Sequence, residues 1–348
     1  MAYESQKLLS PGPLLDDRGQ LTERGYATSL VKDYDRRAIR AGKLRIKEWD
    51  YYCITGRECV LCLTIADNSY MSLDSVSLLF PEKRTQIQKS MMGVLTLGKV
   101  GLPASSKAGD VKVAGKGYTM SFLNDGAKRV LDVHLDDFNG GRPLTAHVEL
   151  TDEPRDSMVI ATPFADHPRH FYYNQKINCL RASGDVSFGG ETFTFHPETD
   201  LAVLDWGRGV WTYSNTWYWG SLSTVSPDGR TVGLNLGYGF GDTSAATENM
   251  LFVDGIAHKL EHVVFEIPTN AAGGDDFLKP WRIHDNDGRL DLVFRPLIDR
   301  ADRTSVLVIE SDQHQVFGHM TGTAVTDDGE EIRIENALGF AEKVKNRW

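Results

Sequence analysis

Along most of the chain, apolar and polar residues alternate in short runs rich in Val, Ile, Thr, Tyr and Phe, the period of a half-buried β-strand. Asp-Gly punctuates these runs. "LNDGAK", "SPDGRT", "DNDGRL" and "TDDGEE" each set that pair between strand-like flanks. Asp-Gly supplies the positive φ angles of a tight hairpin, so each predicts two adjacent antiparallel strands. Helical pattern is confined to residues 26–42, a turn or two near 84–92 and a short piece around 243–250. Many antiparallel strands with few helices predict an all-β protein, barrel or sandwich.

The pattern also repeats. "DSMVIATPFADHPRHFYYNQKINCLRASGDVSFGG" (156–190) and "TSVLVIESDQHQVFGHMTGTAVTDDG" (304–329) both run from an aliphatic strand through a polar break ending in His to an aromatic strand and a Gly-bearing turn. Upstream of each lies a hairpin, "YTMSFLNDGAKRVLDVHLDDF" (118–138) and "WRIHDNDGRLDLVFRPLID" (281–299). Self-similarity of this length predicts two copies of one β-unit rather than a solenoid of short repeats. The expected organisation is a helical segment over 1–44, a first barrel over 45–190 and a second over 191–348.

Six stretches carry a resemblance: "RIKEWDYY" (45–52), "HFYYNQKINCL" (170–180), "LDWGRGVWTYSNTWYWG" (204–220), "LGYGFGDTSAATENMLF" (236–252), "SDQHQVFGH" (311–319) and "GFAEKVKNRW" (339–348). Together they resemble a bacterial family catalogued as a domain of unknown function. That family is distantly similar to tandem lipocalin-like proteins, among them hydroxyneurosporene synthase, a carotenoid hydratase, and certain cyclases. The resemblance implies two lipocalin-like antiparallel barrels packed together, with a pocket for apolar substrates.

Composition narrows the function classes. With 348 residues, 41% apolar and 25% charged, the chain has enough apolar material for a sizeable core. A formal net charge of −10 argues against nucleic-acid binding, which rests on Lys and Arg neutralising phosphates. The basic stretch "KDYDRRAIRAGKLRIK" reads as a solvated helix face. "MAYESQKLLSPGPLLDD" lacks the basic start and apolar run of a signal peptide, and no run approaches the ~20 apolar residues of a membrane span. A cytoplasmic protein without a transmembrane segment is expected. Four cysteines (Cys53, Cys59, Cys62 and Cys179) are too few for a disulfide scaffold. Cys59 and Cys62 form a CxxC inside an apolar strand, where residues three apart face opposite ways, so it reads as structural.

The chemistry concentrates in 204–220, which holds four of the seven tryptophans. At period two, Asp205, Gly207, Gly209 and Trp211 share one face and Trp206 and Arg208 the other; beyond the turn, Asn215, Trp217 and Trp219 face together. Eight glycines in residues 205–242 suit bends and clearance. The stretch either lines a cavity or fills a barrel, with Asp205 and Arg208 as a buried pair. In "HFYYNQKIN", His170, Tyr172, Asn174 and Lys176 share one face and Tyr173 lies on the other, so polar groups reach a side that an ordinary core strand keeps apolar. They either line a pocket or pair across an interface between the barrels. "GYGFGD" lacks the Lys and the spacing of a phosphate loop. Tyr238 and Asp242 are therefore candidate pocket groups, Asp242 also a cap, and Glu248 a candidate acid. His314 is a candidate general acid/base; His314 and His319, five apart on a strand, cannot share a metal. Glu342 and Arg347 are read as a pair closing the second barrel.

The expectation is a cofactor-independent acid/base enzyme of hydratase, isomerase or cyclase type. It would act on an apolar or amphipathic small molecule, with Asp205 as proton donor, His314 and Glu248 as further catalytic candidates, and no metal. Trp206, Arg208, Trp211, Asn215, Trp217 and Trp219 would hold the substrate with the aromatic and polar residues above. Two alternatives stay open: a non-catalytic carrier of a lipophile, and a carbohydrate-active enzyme using paired carboxylates.

Overall fold

The structure, a computed structural model, describes residues 6–306 and 309–347. The opening residues 1–5, Trp348 at the end of the last motif, and residues 307–308 inside the expected aliphatic strand lie outside the described residues. Three short strands come first, β1 (Gly12–Pro13), β2 (Gly25–Ala27) and β3 (Lys32–Asp33). A first sheet follows: β4 (Ile46–Thr55), β5 (Val60–Asp67), β6 (Met71–Phe80), β7 (Thr85–Val94), β8 (Val111–Gly115), β9 (Tyr118–Asn124), β10 (Arg129–Asn139), β11 (Arg142–Thr151), β12 (Met158–Phe164), β13 (His167–Phe188), β14 (Glu191–Phe195) and β15 (Leu201–Val210). The second sheet comprises β16 (Ser214–Val225), β17 (Thr231–Tyr238), β18 (Met250–Val253), β19 (Ile256–Lys259), β20 (Val263–Glu266), β21 (Trp281–Asp285), β22 (Leu290–Val306), β23 (Ile309–Val325) and β24 (Glu331–Arg347).

All four Asp-Gly turns join paired antiparallel neighbours: β9 to β10, β16 to β17, β21 to β22 and β23 to β24. Gly126, Gly229, Gly288 and Gly329 hold φ of 91°, 87°, 81° and 90°, the left-handed region that only glycine enters freely.

The strand orders are β7-β6-β5-β4-β15-β13-β11-β10-β9-β8 and β19-β18-β17-β16-β24-β23-β22-β21-β20. Each sheet runs as a four-strand meander whose first strand pairs with the last strand of its own sheet, β4 with β15 and β16 with β24. This is one topology used twice. By position in the sheet, β13 corresponds to β23, and the counterpart of the hairpin β21–β22 is β10–β11, one strand further on than the hairpin at 118–138. Both sheets curl: Lys89 on β7 reaches Asp137 on β10 at 3.2 Å, and the Tyr238 hydroxyl on β17 accepts from the amide of Phe265 on β20 at 3.2 Å. Each closes on its own apolar core, one including Leu61, Leu131 and Leu204, the other Leu234, Trp281 and Phe294. The fold is thus all-β, two lipocalin-like barrels packed together. The change of sheet falls between Val210 and Ser214, beyond the boundary expected near residue 190, and we propose the division there.

The N-terminal helix is not formed. Residues 26–42 hold only the 3-10 turn Arg36–Ala38, and a second turn follows at Lys43–Arg45. Their backbone is used in pairing instead: β3 lies parallel to β1, and β2 extends the first sheet beside β12. Tyr34 is buried with its hydroxyl donating to Glu48 at 2.7 Å, and Lys32 pairs with Glu23 at 2.7 Å. A marginal helical pattern gives way to such tertiary partners. Residues 85–94 form β7, and the stretch 243–249 has no helix. Among the described residues no helix is long and apolar enough to cross a membrane. All four cysteines are free and buried; Cys59 faces the first core, while Cys62 lies opposite Cys53 with the sulfurs 3.8 Å apart.

Candidate functional site

Residues paired directly across antiparallel strands project to the same face, so pairing registers define rows of side chains. In the first sheet, Thr64 pairs with Tyr51, Tyr51 with Asp205, and Asp205 with Lys176. In the second, Arg300 pairs with Gln315, Gln315 with Glu342, and Glu342 with Trp219. These two rows face each other across a cavity of about 190 Å³, whose walls also include Trp49, Tyr172, Trp211, Trp217, Phe240 and Glu248. The site therefore lies between the barrels and is built from both.

On the first wall, Asp205 is ion-paired with Lys176 at 2.8 Å and accepts from the Asn174 amide at 2.6 Å. The Lys176 ammonium also stands 4.0 Å from the ring centre of Trp219 on the opposite wall. Both contacts place N–H donors on the Asp205 carboxyl, whose oxygens accept them. On the second wall, Glu342 accepts from the Trp217 indole at 2.8 Å and from Gln315 at 3.1 Å, and Gln315 in turn accepts from the Tyr51 hydroxyl at 3.3 Å. Burial pushes the Glu342 carboxyl up to about 7, against the opposing pull of the Trp217 hydrogen bond and of the Lys176 and Arg300 charges. Burial also raises Glu248, which Lys176 opposes and Asp205 reinforces. The phenols of Tyr51 and Tyr172 are held well above their ordinary range by burial, so both remain neutral.

Glycine makes the aromatic wall possible. A Cβ on Gly207 would sit 1.9 Å from the Trp49 indole, and one on Gly237 would sit 2.6 Å from the Glu248 carboxyl. Trp49 stacks on Tyr172 with centroids 6.2 Å apart and meets Trp211 edge-on at 5.2 Å, and Trp211 meets Trp217 and Phe240 at 5.6 and 4.8 Å. The clearance that the glycines give is used first by neighbouring side chains, which then frame the cavity.

Of the residues singled out in sequence, the structure brings Asp205, Glu248, Trp211, Trp217, Trp219, Tyr172 and Lys176 to the cavity, with Asn174 behind Asp205. The others are placed elsewhere. Trp206 and Arg208 lie on the opposite face of β15, inside the first barrel, the guanidinium 4.2 Å from the Trp206 ring and paired with Asp50 at 3.0 Å. Asp205 and Arg208 are thus not a pair. Tyr173 also points into that barrel, its hydroxyl donating to the Lys32 carbonyl at 3.0 Å. Asn215 bonds to Thr212, and His170 stacks on His167 with centroids 4.7 Å apart. Tyr238 stacks on Tyr218 at 4.4 Å within the second barrel, and Asp242 accepts from the Ser244 amide and pairs with Arg24. His314 alternates with the cavity residues Gln313 and Gln315, so it faces away from the cavity, stacked on Phe277 and paired with Asp299 at 2.7 Å.

Glu342 and Arg347 do not pair: five residues apart on β24 they face opposite ways, and Arg347 stands 3.8 Å from Glu310. Glu342, Arg300, Gln315 and Tyr51 join the site from strands remote in sequence. One signal was present in "GFAEKVKNRW", where the alternating Phe340, Glu342, Val344 and Asn346 put an acid among buried positions. Among the described residues no three His, Cys, Asp or Glu side chains are grouped as a metal requires.

Three solved structures are similar in overall course: a putative AttH from Nitrosomonas europaea (14% identity, TM-score 0.46, 91% of this chain and 98% of that one), kievitone hydratase from Nectria haematococca (12%, 0.43, 92% and 97%), and CghA with Sch210972 (10%, 0.46, 96% and 97%). No curated protein matches the sequence. The family match runs over residues 5–348, nearly the whole chain, and this protein belongs to the family described as Domain of unknown function (DUF2804).

Proposed function

We propose that this chain is a cofactor-independent acid/base enzyme of hydratase, isomerase or cyclase type, taking an apolar or amphipathic small molecule into the cavity between its barrels. The observation that carries this reading is Glu342, a carboxyl buried beside indoles and pushed up to about 7. Near neutrality such a group has a proton to give and, once ionised, accepts one back. Glu342 gives its proton to one carbon of a substrate double bond, and the cation formed on the neighbouring carbon is stabilised by the surrounding indole faces. If water adds to the cation, its surplus proton returns to Glu342 and the result is hydration. If an adjacent C–H proton returns instead, the result is isomerisation. If a second double bond of the substrate attacks first, a ring closes before that proton is lost. Asp205 and Lys176 neutralise each other on the facing wall, and Glu248 is the second acid of the site. Trp49, Trp211 and Trp217 hold the apolar body of the substrate.

Deuterium uptake tests this. Candidate isoprenoids and polyketides incubated with the protein in heavy water should gain deuterium at carbon, read by mass spectrometry. Glu342→Gln should slow that uptake by about 100-fold or more while the substrate still quenches tryptophan fluorescence. A lipophile that co-purifies one-to-one and leaves unchanged, without exchange, would instead make the protein a carrier.

A further inference from the structure

The cations near this site are treated unequally. Arg208, fully buried, spends its guanidinium on the carbonyls of Trp49, Gly207 and Pro103 and on the Asp50 carboxylate. Lys176 has Asp205 at 2.8 Å. Arg300 lines the cavity at the end of the row that continues through Gln315 to Glu342, and its one hydrogen bond among the described residues runs from Nη1 to the Ser77 hydroxyl at 3.0 Å. No carboxylate of the described residues forms an ion pair with it. A guanidinium presents five N–H donors in a planar fork matched to two oxygens, so most of this half-buried fork is left without a protein partner. The buried Arg208 and Lys176 are each matched by a carboxylate in direct contact, whereas Glu342 acts on the half-buried Arg300 through its charge without forming an ion pair.

A second group points the same way. Asn346 is 1% exposed and lines the same cavity; its Oδ1 accepts from Ser311 at 2.7 Å, while its Nδ2 donors have no partner. It lies on β24 four residues beyond Glu342, at roughly 13 Å along an extended strand. The cavity thus has N–H donors two strands across from Glu342 and four residues along from it, with indoles in the same walls.

We propose that Arg300 binds an acidic oxygen pair on the substrate, a carboxylate or an ionised enol, so that the molecule taken is an amphipathic acid rather than a neutral hydrocarbon. This deepens the reading of the cavity as a substrate site and rests on it. The acid head on Arg300 sets the double bond of the same molecule against Glu342, one strand beyond Gln315. An oxygen further along the chain meets Asn346.

The test compares two probes of equal shape, cinnamate and cinnamyl alcohol, by quenching of tryptophan fluorescence at pH 7.5. Wild type should bind the acid about ten-fold or more tightly than the alcohol, and Arg300→Gln should abolish that preference by weakening the acid alone. Arg300→Lys, which keeps the charge, should retain a preference for the acid, and matching thermal melts of all three proteins would show that folding is intact. Equal binding of acid and alcohol by wild type, or equal weakening of both in Arg300→Gln, would overturn the anion site and leave the acid/base reading standing. Saturable binding of neither probe at millimolar concentration would overturn the cavity as a ligand site, and this inference with it.

Discussion

Glu342 sets function against stability within one side chain. Its carboxyl titrates near 7 in the folded protein and near 4.5 in an ordinary setting, so between those values the folded state holds a proton that the unfolded chain has released. The contribution is therefore present in full below pH ~4.5 and is lost as pH rises through ~7, amounting to about 3 kcal/mol across the window. Glu342→Gln keeps the shape and an acceptor for the Trp217 indole but removes the titration. Urea unfolding followed from pH 4.5 to 8 should show wild type losing stability relative to this variant, which ends more stable by about 1–3 kcal/mol at pH 8. Parallel pH profiles for the two proteins would mean that Glu342 is not desolvated in the folded state.

At the scale of the strand, the decisive residue is one with no side chain. Gly207 lies between the registers of Trp49 and Asn174, and any Cβ there meets the Trp49 ring at 1.9 Å, a distance that only displacement of the indole relieves. Gly207→Ala should destabilise by about 1–3 kcal/mol through overpacking, and the double change with Trp49→Leu should recover most of that loss in chemical denaturation. If the single change is neutral, Trp49 has room to move and the wall is not fixed. The same strand shows how far sequence reaches. Period two correctly separated Asp205 and Trp211 from Trp206 and Arg208, and put Trp217 with Trp219, because alternation is a property of a strand by itself. Tyr51 joins the site only through its register with Asp205 across β4 and β15, and Gln315, Arg300 and Glu342 only through the registers of β22, β23 and β24, which the pattern of no single strand encodes. The Asp-Gly hairpins were legible for the same reason as the faces, since their geometry is held within four residues. The stretch at 26–42 misleads for the opposite reason: its helical spacing is weak, and β1 and β12 offer its backbone better partners.

For the whole molecule, duplication explains why the site stands where it does. In each copy the strand that closes the curl, β15 or β24, lies beside the first strand of that copy, and both closing strands bring an acid to the space between the copies, Asp205 and Glu342. A single barrel would leave its own row open to water, and Glu342 would lose the burial that makes it an acid near neutrality. The copies are joined by apolar packing of Tyr51, Cys53 and Val203 against Trp219, Phe317 and Phe340, and by Asn178, whose amide donates to Ser221 and to the carbonyls of Leu222 and Leu234. Contiguous apolar surface of this kind is not left bare on a stable monomer. Residues 1–212 and 213–348 expressed separately should therefore aggregate or remain partly unfolded, whereas co-expression should return a one-to-one complex that elutes with the intact chain in size-exclusion chromatography. Two soluble, cooperatively melting halves that ignore each other would show that each barrel is complete alone, and the shared cavity would then be an accident of packing. The expected result makes joining the copies the step that created the site, because neither row of side chains has a facing wall until the other barrel is present.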